Sequence, residues 1–145
     1  MKRFLMIALM GLLSSGAQAA LFINNNTSCT YEGYIVAYDI NVPGCVMHTN
    51  PMIIPPISSF AYNNVSSLNV SPGWGGGYMA TTAGGAGSWG WRSFLFNFQG
   101  STVGGTVGDL TCTTTNTVTV PNVCQGSGNV VVTWLPGANV VIDIN

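Results

Sequence analysis

Charge is what this chain has least of. Its 145 residues carry three basic and four acidic side chains and one histidine, so charged residues make up 5% of the total. Nucleic-acid binding takes several Lys or Arg side chains to neutralise phosphates, and three argue against it. The outer faces of a coiled coil or helical bundle need Glu, Lys and Arg, so those architectures are disfavoured too. After residue 20 no stretch reaches the roughly 18 consecutive apolar residues of a membrane-spanning helix. What the chain does have is 47% hydrophobic residues, 19 glycines and four cysteines, with Asn, Thr and Ser as the polar remainder. The length suits one domain, and the composition is not that of a disordered tail.

The opening residues read as an export signal. Lys2 and Arg3 give a positive start, Phe4 to Leu13 is apolar apart from Gly11, and Ala17-Gln18-Ala19 fits an A-x-A cleavage site. Cleavage after Ala19 leaves residues 20–145 as a single domain, with no lysine and with Arg92 facing Glu32, Asp39, Asp109 and Asp143. The signal has the form of a bacterial Sec leader, and the expected location is secreted or at the cell surface.

Cys29, Cys45, Cys112 and Cys124 all follow the signal. An even number in an exported chain reads as two disulfides. The spacing favours two local bridges, Cys29–Cys45 and Cys112–Cys124, each bracketing a short segment with turn residues inside. No pair has the C-x₂₋₄-C spacing of a zinc site, so no metal and no cofactor are implied.

Helical periodicity is absent after the signal, while period-two alternation recurs. Strands are expected at 21–24, 31–40, 52–54, 57–62, 77–82, 91–98, 117–120, 129–135 and 139–144. In the second, Tyr34, Val36, Tyr38 and Ile40 share one strongly apolar face; in 91–98, Phe94, Phe96 and Phe98 do. Two alternating runs around Pro136-Gly137 read as an antiparallel hairpin whose loop extends to three to five residues. About eight or nine short strands with glycine-rich loops and two disulfides predict an all-β fold, an antiparallel sandwich or flattened barrel.

Catalytic signals are weak. His48 is the lone histidine, stands just before Asn50-Pro51, and reads as a loop residue with no G-x-S-x-G elbow to serve. Glu32 and Asp39 differ by an odd number of strand positions, so they face opposite sides and cannot act as a glycosidase pair. Asp143 reads as part of a solvated face. Gly104, Gly105 and Gly108 lack the helix and lysine of a phosphate loop. No catalytic residue is assigned, and the protein is expected not to be an enzyme.

The candidate binding residues are aromatic. The glycine-rich 72–91 region holds Trp74, Tyr78, Trp89 and Trp91, which could display rings for stacking on sugars or fill the core. Trp134 alternates with Val130 and Val132 and reads as core.

In size, export signal, disulfides and scarcity of charge the chain resembles bacterial fimbrial and other surface β-sandwich subunits in composition. Phe22-Ile23-Asn24-Asn25 followed by Cys29 is similar to the first strand of thaumatin-like sandwiches, which carry far more cysteines. Neither likeness transfers a functional residue. The expected function is a non-enzymatic exported β-sandwich, a structural or adhesive subunit of the cell surface that contacts itself or other surface proteins. The alternative is a small carbohydrate-binding module that holds polysaccharide on the rings of 72–91.

Overall fold

Alternation of buried and exposed side chains runs through most of residues 20–145, the part of the chain described by the computed structural model. The expected signal, 1–19, lies outside the described residues. The alternating segments form β1 (Leu21–Asn25), β2 (Tyr31–Asp39), β3 (Val42–His48), β4 (Met52–Ile54), β5 (Ser58–Tyr62), β6 (Trp89–Phe98), β7 (Gly104–Gly108), β8 (Thr117–Pro121), β9 (Asn129–Leu135) and β10 (Val140–Ile144). They make a first sheet in the order β5-β1-β10-β9-β8 and a second in the order β3-β2-β6-β7, with β4 also on β2. The two sheets pack as an all-β sandwich, and β7 lies against β8, curling one side towards a half-barrel.

Most pairing is antiparallel, as expected, but β1 runs parallel to β10, from Leu21 beside Val140 to Asn25 beside Ile144. The β9–β10 hairpin forms with Ile142 opposite Trp134 and a loop over 136–139, the length foreseen. Inside the sandwich, Leu21, Ile23, Val130, Val132, Trp134, Ile142 and Ile144 from the first sheet face Tyr31, Ile35, Phe94 and Phe96 from the second. Gly33 leaves room for this aromatic row: a Cβ there would sit 2.5 Å from the Phe94 ring.

Three strand assignments change. Residues 77–82 are not a strand among the described residues, while Val42–His48 and Gly104–Gly108 are. Pro43-Gly44 reads in the sequence as a turn, yet both residues lie within β3, an edge strand, where a missing N–H is tolerated. Its ladder jumps from Met47 opposite Ala37 to Val42 opposite Asp39, so residues 43–46 bulge outward. The glycines of β7 mark backbone contact. A Cβ on Gly104 would stand 1.9 Å from the Phe96 carbonyl oxygen, and one on Gly108 would stand 2.4 Å from that of Arg92. Gly108→Ala is therefore expected to destabilise by about 1–3 kcal/mol through overpacking, read as a lower urea midpoint.

The disulfides join Cys29 to Cys124 and Cys45 to Cys112, not the local pairs that spacing favoured. Strand length is the reason. Cys29 precedes β2, and Cys45 sits in the bulge beside its far end, so the extended strand separates them by roughly 25 Å at 3.3 Å per residue. Each cysteine instead meets one carried by a distant loop, with Cα atoms 5.9 and 5.6 Å apart.

Uncharged polar side chains clip the turns. The buried Asn25 donates to the carbonyls of Cys29 and Pro55 and accepts from the Thr27 N–H and hydroxyl. Asn69 holds both the N–H and the carbonyl of Ala80, at 2.7 and 2.9 Å. These turns meet their backbone groups with amides and hydroxyls rather than ion pairs.

Candidate functional site

The three tryptophans singled out for a ring platform lie inside the protein, and Tyr78 is half-buried. Trp74, Trp89 and Trp91 are 1%, 3% and 5% exposed. Strict alternation along β6 would put Trp89 and Trp91 on the face opposite Phe94. A β-bulge resets it: β2 advances from Val36 to Ala37 while β6 passes from Ser93 to Trp91, so Arg92 is the extra residue. Both indoles then turn inward with the phenylalanines, 6.4 Å apart and edge to face. Trp74 is drawn in by a bridge to Thr49. Trp74→Ala should cost about 3–5 kcal/mol, the loss typical of a core indole, whereas an exposed platform residue would cost little; chemical denaturation distinguishes the two.

Tyr78 is committed to structure as well. Its hydroxyl donates to both oxygens of Asp39, at 2.7 and 2.8 Å. The same carboxylate, fully buried, accepts from the backbone N–H groups of Thr81, Asn41 and Val42. Burial pushes the Asp39 carboxyl up, but these donors together outweigh it and hold it below the usual carboxylate range. Burial, and then the adjoining carboxylate, push the Tyr78 phenol up.

Arg92, the extra residue of the bulge, points outward. Its guanidinium lies 4.1 Å from the centre of the Tyr38 ring and donates to Asp109 at 2.7 Å. Asp109 is held below its ordinary range first by the Thr111 N–H and also by the Thr111 hydroxyl and Arg92, against the opposing effect of burial. The one cation of residues 20–145 is thus tied to its own sheet. Asp143 takes a hydrogen bond from Asn24 at 2.8 Å. Glu32 stays on the outer face of β2, beside Asn97.

A groove lies on that outer face, where Tyr34, Val36 and Tyr38 point away from the first sheet. One lobe, of about 480 Å³, is lined by Tyr34, Val36, His48, Ser93, Leu95, Thr106 and the Cys45–Cys112 bridge. A second lobe of about 290 Å³ continues past Tyr34, Leu95 and Thr106 to Asn97, Thr102 and the backbone of Gly104 and Gly105. The lobes differ in chemistry. The first is walled mostly by aliphatic, aromatic and sulfur atoms, with the His48 ring and the Ser93 and Thr106 hydroxyls among them; the second adds an amide, the Thr102 hydroxyl and glycine backbone to the residues the two share. No lining residue carries a permanent charge.

His48 stands edge-on to Tyr34 at 6.3 Å, packed over Gly75. Its Nδ1 bonds the Thr49 carbonyl at 3.0 Å. A carbonyl only accepts, so Nδ1 carries the proton there. Among the described residues no group of three or more His, Cys, Asp or Glu side chains is placed to hold a metal ion.

The groove escaped the sequence reading for a definite reason. The apolar Tyr34–Val36–Tyr38 face looks like a core face, yet Ile35 and Ala37 on the other side are the fully buried ones. Gly33 on that inner side, making room for aromatic rings from β6, was the available signal. Comparison with known proteins found no matching family model, no matching curated protein and no matching solved structure.

Proposed function

We propose that this chain is an exported, non-enzymatic subunit of the cell surface, structural or adhesive, that works in contact with neighbouring molecules. The observation carrying this reading is the near absence of surface charge. Of the five charged side chains in residues 20–145, Asp39 is buried and Arg92 and Asp109 are paired, which leaves Glu32 and Asp143. Large apolar side chains meanwhile stand out, with Val70 85% and Ile57 72% exposed. The edge strands β3, β4 and β5 carry no Lys, Arg, Asp or Glu. A freely diffusing protein uses net charge and charged edges to keep copies apart. A subunit that its neighbours cover has no such need. Two disulfides fit an oxidising location outside the cytoplasm, and no described helix is long and apolar enough to cross a membrane.

The sugar-binding reading based on the rings of 72–91 loses its support, since the indoles are packed inside. Immunogold labelling of intact producing cells tests the surface assignment. Dense label on the outer surface is expected; protein confined to the cytoplasm, or found only free in the medium, would overturn it.

A further inference from the structure

The groove on the second sheet has three properties that narrow what it can hold. Its lining is uncharged and the nearest charge, beside Asn97, is the Glu32 carboxylate, so a phosphate or carboxylate would lose its hydration there without gaining a counter-charge. It is elongated and open, two lobes joined at Tyr34, and its larger lobe falls in the 300–1,000 Å³ range of small-ligand sites. Its polarity changes along its length. Val36 and the disulfide make one end mostly apolar, Leu95 and Thr106 face each other across β6 and β7 in the middle, and Asn97 and Thr102 stand at the other end; Asn97, Thr102 and Thr106 make no side-chain hydrogen bond to another described residue. Elsewhere the chain commits such groups, as with Asn25, Asn64 and Asn69. A purely apolar ligand would cover these amide and hydroxyl groups without pairing them, at a desolvation cost.

We propose that this groove binds a neutral saccharide chain. One sugar ring lays its C–H face on Tyr34, and the next presents hydroxyls to Asn97, Thr102 and Thr106. Tyrosine suits this half-wet position, with an apolar ring and a polar tip. The platform stands on strands rather than on a mobile loop, and Gly104 and Gly108 let β7 close tightly on β6, so the site is formed before the ligand arrives. The inference rests on the surface-subunit reading in giving its adhesive contact a ligand class.

The test uses the exported chain and four neutral hexasaccharides, of glucose, mannose, xylose and N-acetylglucosamine. Binding is measured by calorimetry, and amide NMR shifts locate it; polygalacturonate is the charged control. At least one hexasaccharide should bind saturably, with shifts at residues 34, 95, 97 and 106, and Tyr34→Ala should weaken it about tenfold. Thr106→Trp, which fills the groove from an accessible strand position, should abolish binding in a protein whose thermal midpoint is checked separately. The proposal is overturned if none of the four binds, if only the charged polymer binds, or if binding survives both substitutions with shifts elsewhere. An uncharged peptide competing where no hexasaccharide does would also overturn it. Surface labelling and self-association do not depend on Tyr34, so their failure is distinguishable from failure of the groove.

Discussion

Replacing Cys29 and Cys124 together by alanine is expected to remove about 4–5 kcal/mol of stability, because the bridge closes a loop with a sequence separation of 95. Cys45→Ala with Cys112→Ala should cost a similar amount on its own, for a separation of 67. The second loop is nested inside the first, so full reduction should cost less than the two losses added together. Against a typical total of about 5–15 kcal/mol, either double substitution should shift the urea midpoint strongly. Local bridges would have closed short loops worth about 3 kcal/mol each. Peptide mapping without reductant should recover Cys29 with Cys124 and Cys45 with Cys112. It needs a protease other than trypsin, since Arg92 is the sole basic residue of 20–145.

Asp39→Ala is expected to be nearly as damaging, at roughly 3 kcal/mol or more, because it leaves the Tyr78 hydroxyl and three backbone N–H groups without their shared acceptor. It should also release the 78–81 segment from the β2–β3 turn, seen as faster amide exchange at Thr81. Asp39→Asn should recover only part of the loss, since one of its two positions becomes a donor facing donors. The pH dependence follows from the direction of the shift. The folded pKa of Asp39 lies below the unfolded value near 4, so its contribution is complete above about pH 4. It is lost as pH falls through the folded value, and Asp109 adds to the same acid limb. Tyr78 has the opposite sign. Its folded pKa is raised, so its contribution is complete below about pH 10 and is lost as pH climbs through the folded value. Denaturation midpoints across pH should therefore fall on both sides, and Asp39→Ala should flatten the acid limb while lessening the alkaline one only in part, since burial is the first cause of the Tyr78 shift.

Alternation makes the sandwich legible in the sequence. The hairpin around Pro136-Gly137 and the row of Phe94, Phe96 and Phe98 follow from period two alone. What alternation could not show was its own interruption. One extra residue at Arg92 turns Trp89 and Trp91 from the outer face to the core, and nothing in the string W-G-W-R-S-F marks it. The β7 glycines read as a loop because contact with β6 backbone, which requires them, is a tertiary fact. Local spacing misled the disulfide reading because two cysteines close in sequence stood at opposite ends of an extended strand. Asp39 gave a partial signal: an acidic residue just before Asn41 and Pro43-Gly44 suits a turn that binds its own backbone. Its second set of donors, from residues 78 and 81, was beyond reach of local pattern.

On the function proposed above, a surface so poor in charge belongs to a subunit that associates. Sedimentation of residues 20–145 over a hundredfold range of concentration, at low and high salt, tests it most directly. Association that rises with concentration and barely responds to salt is expected, because apolar patches and uncharged strand edges would drive it and exposed ion pairs would not. A monomer at every concentration and both salts would contradict the account.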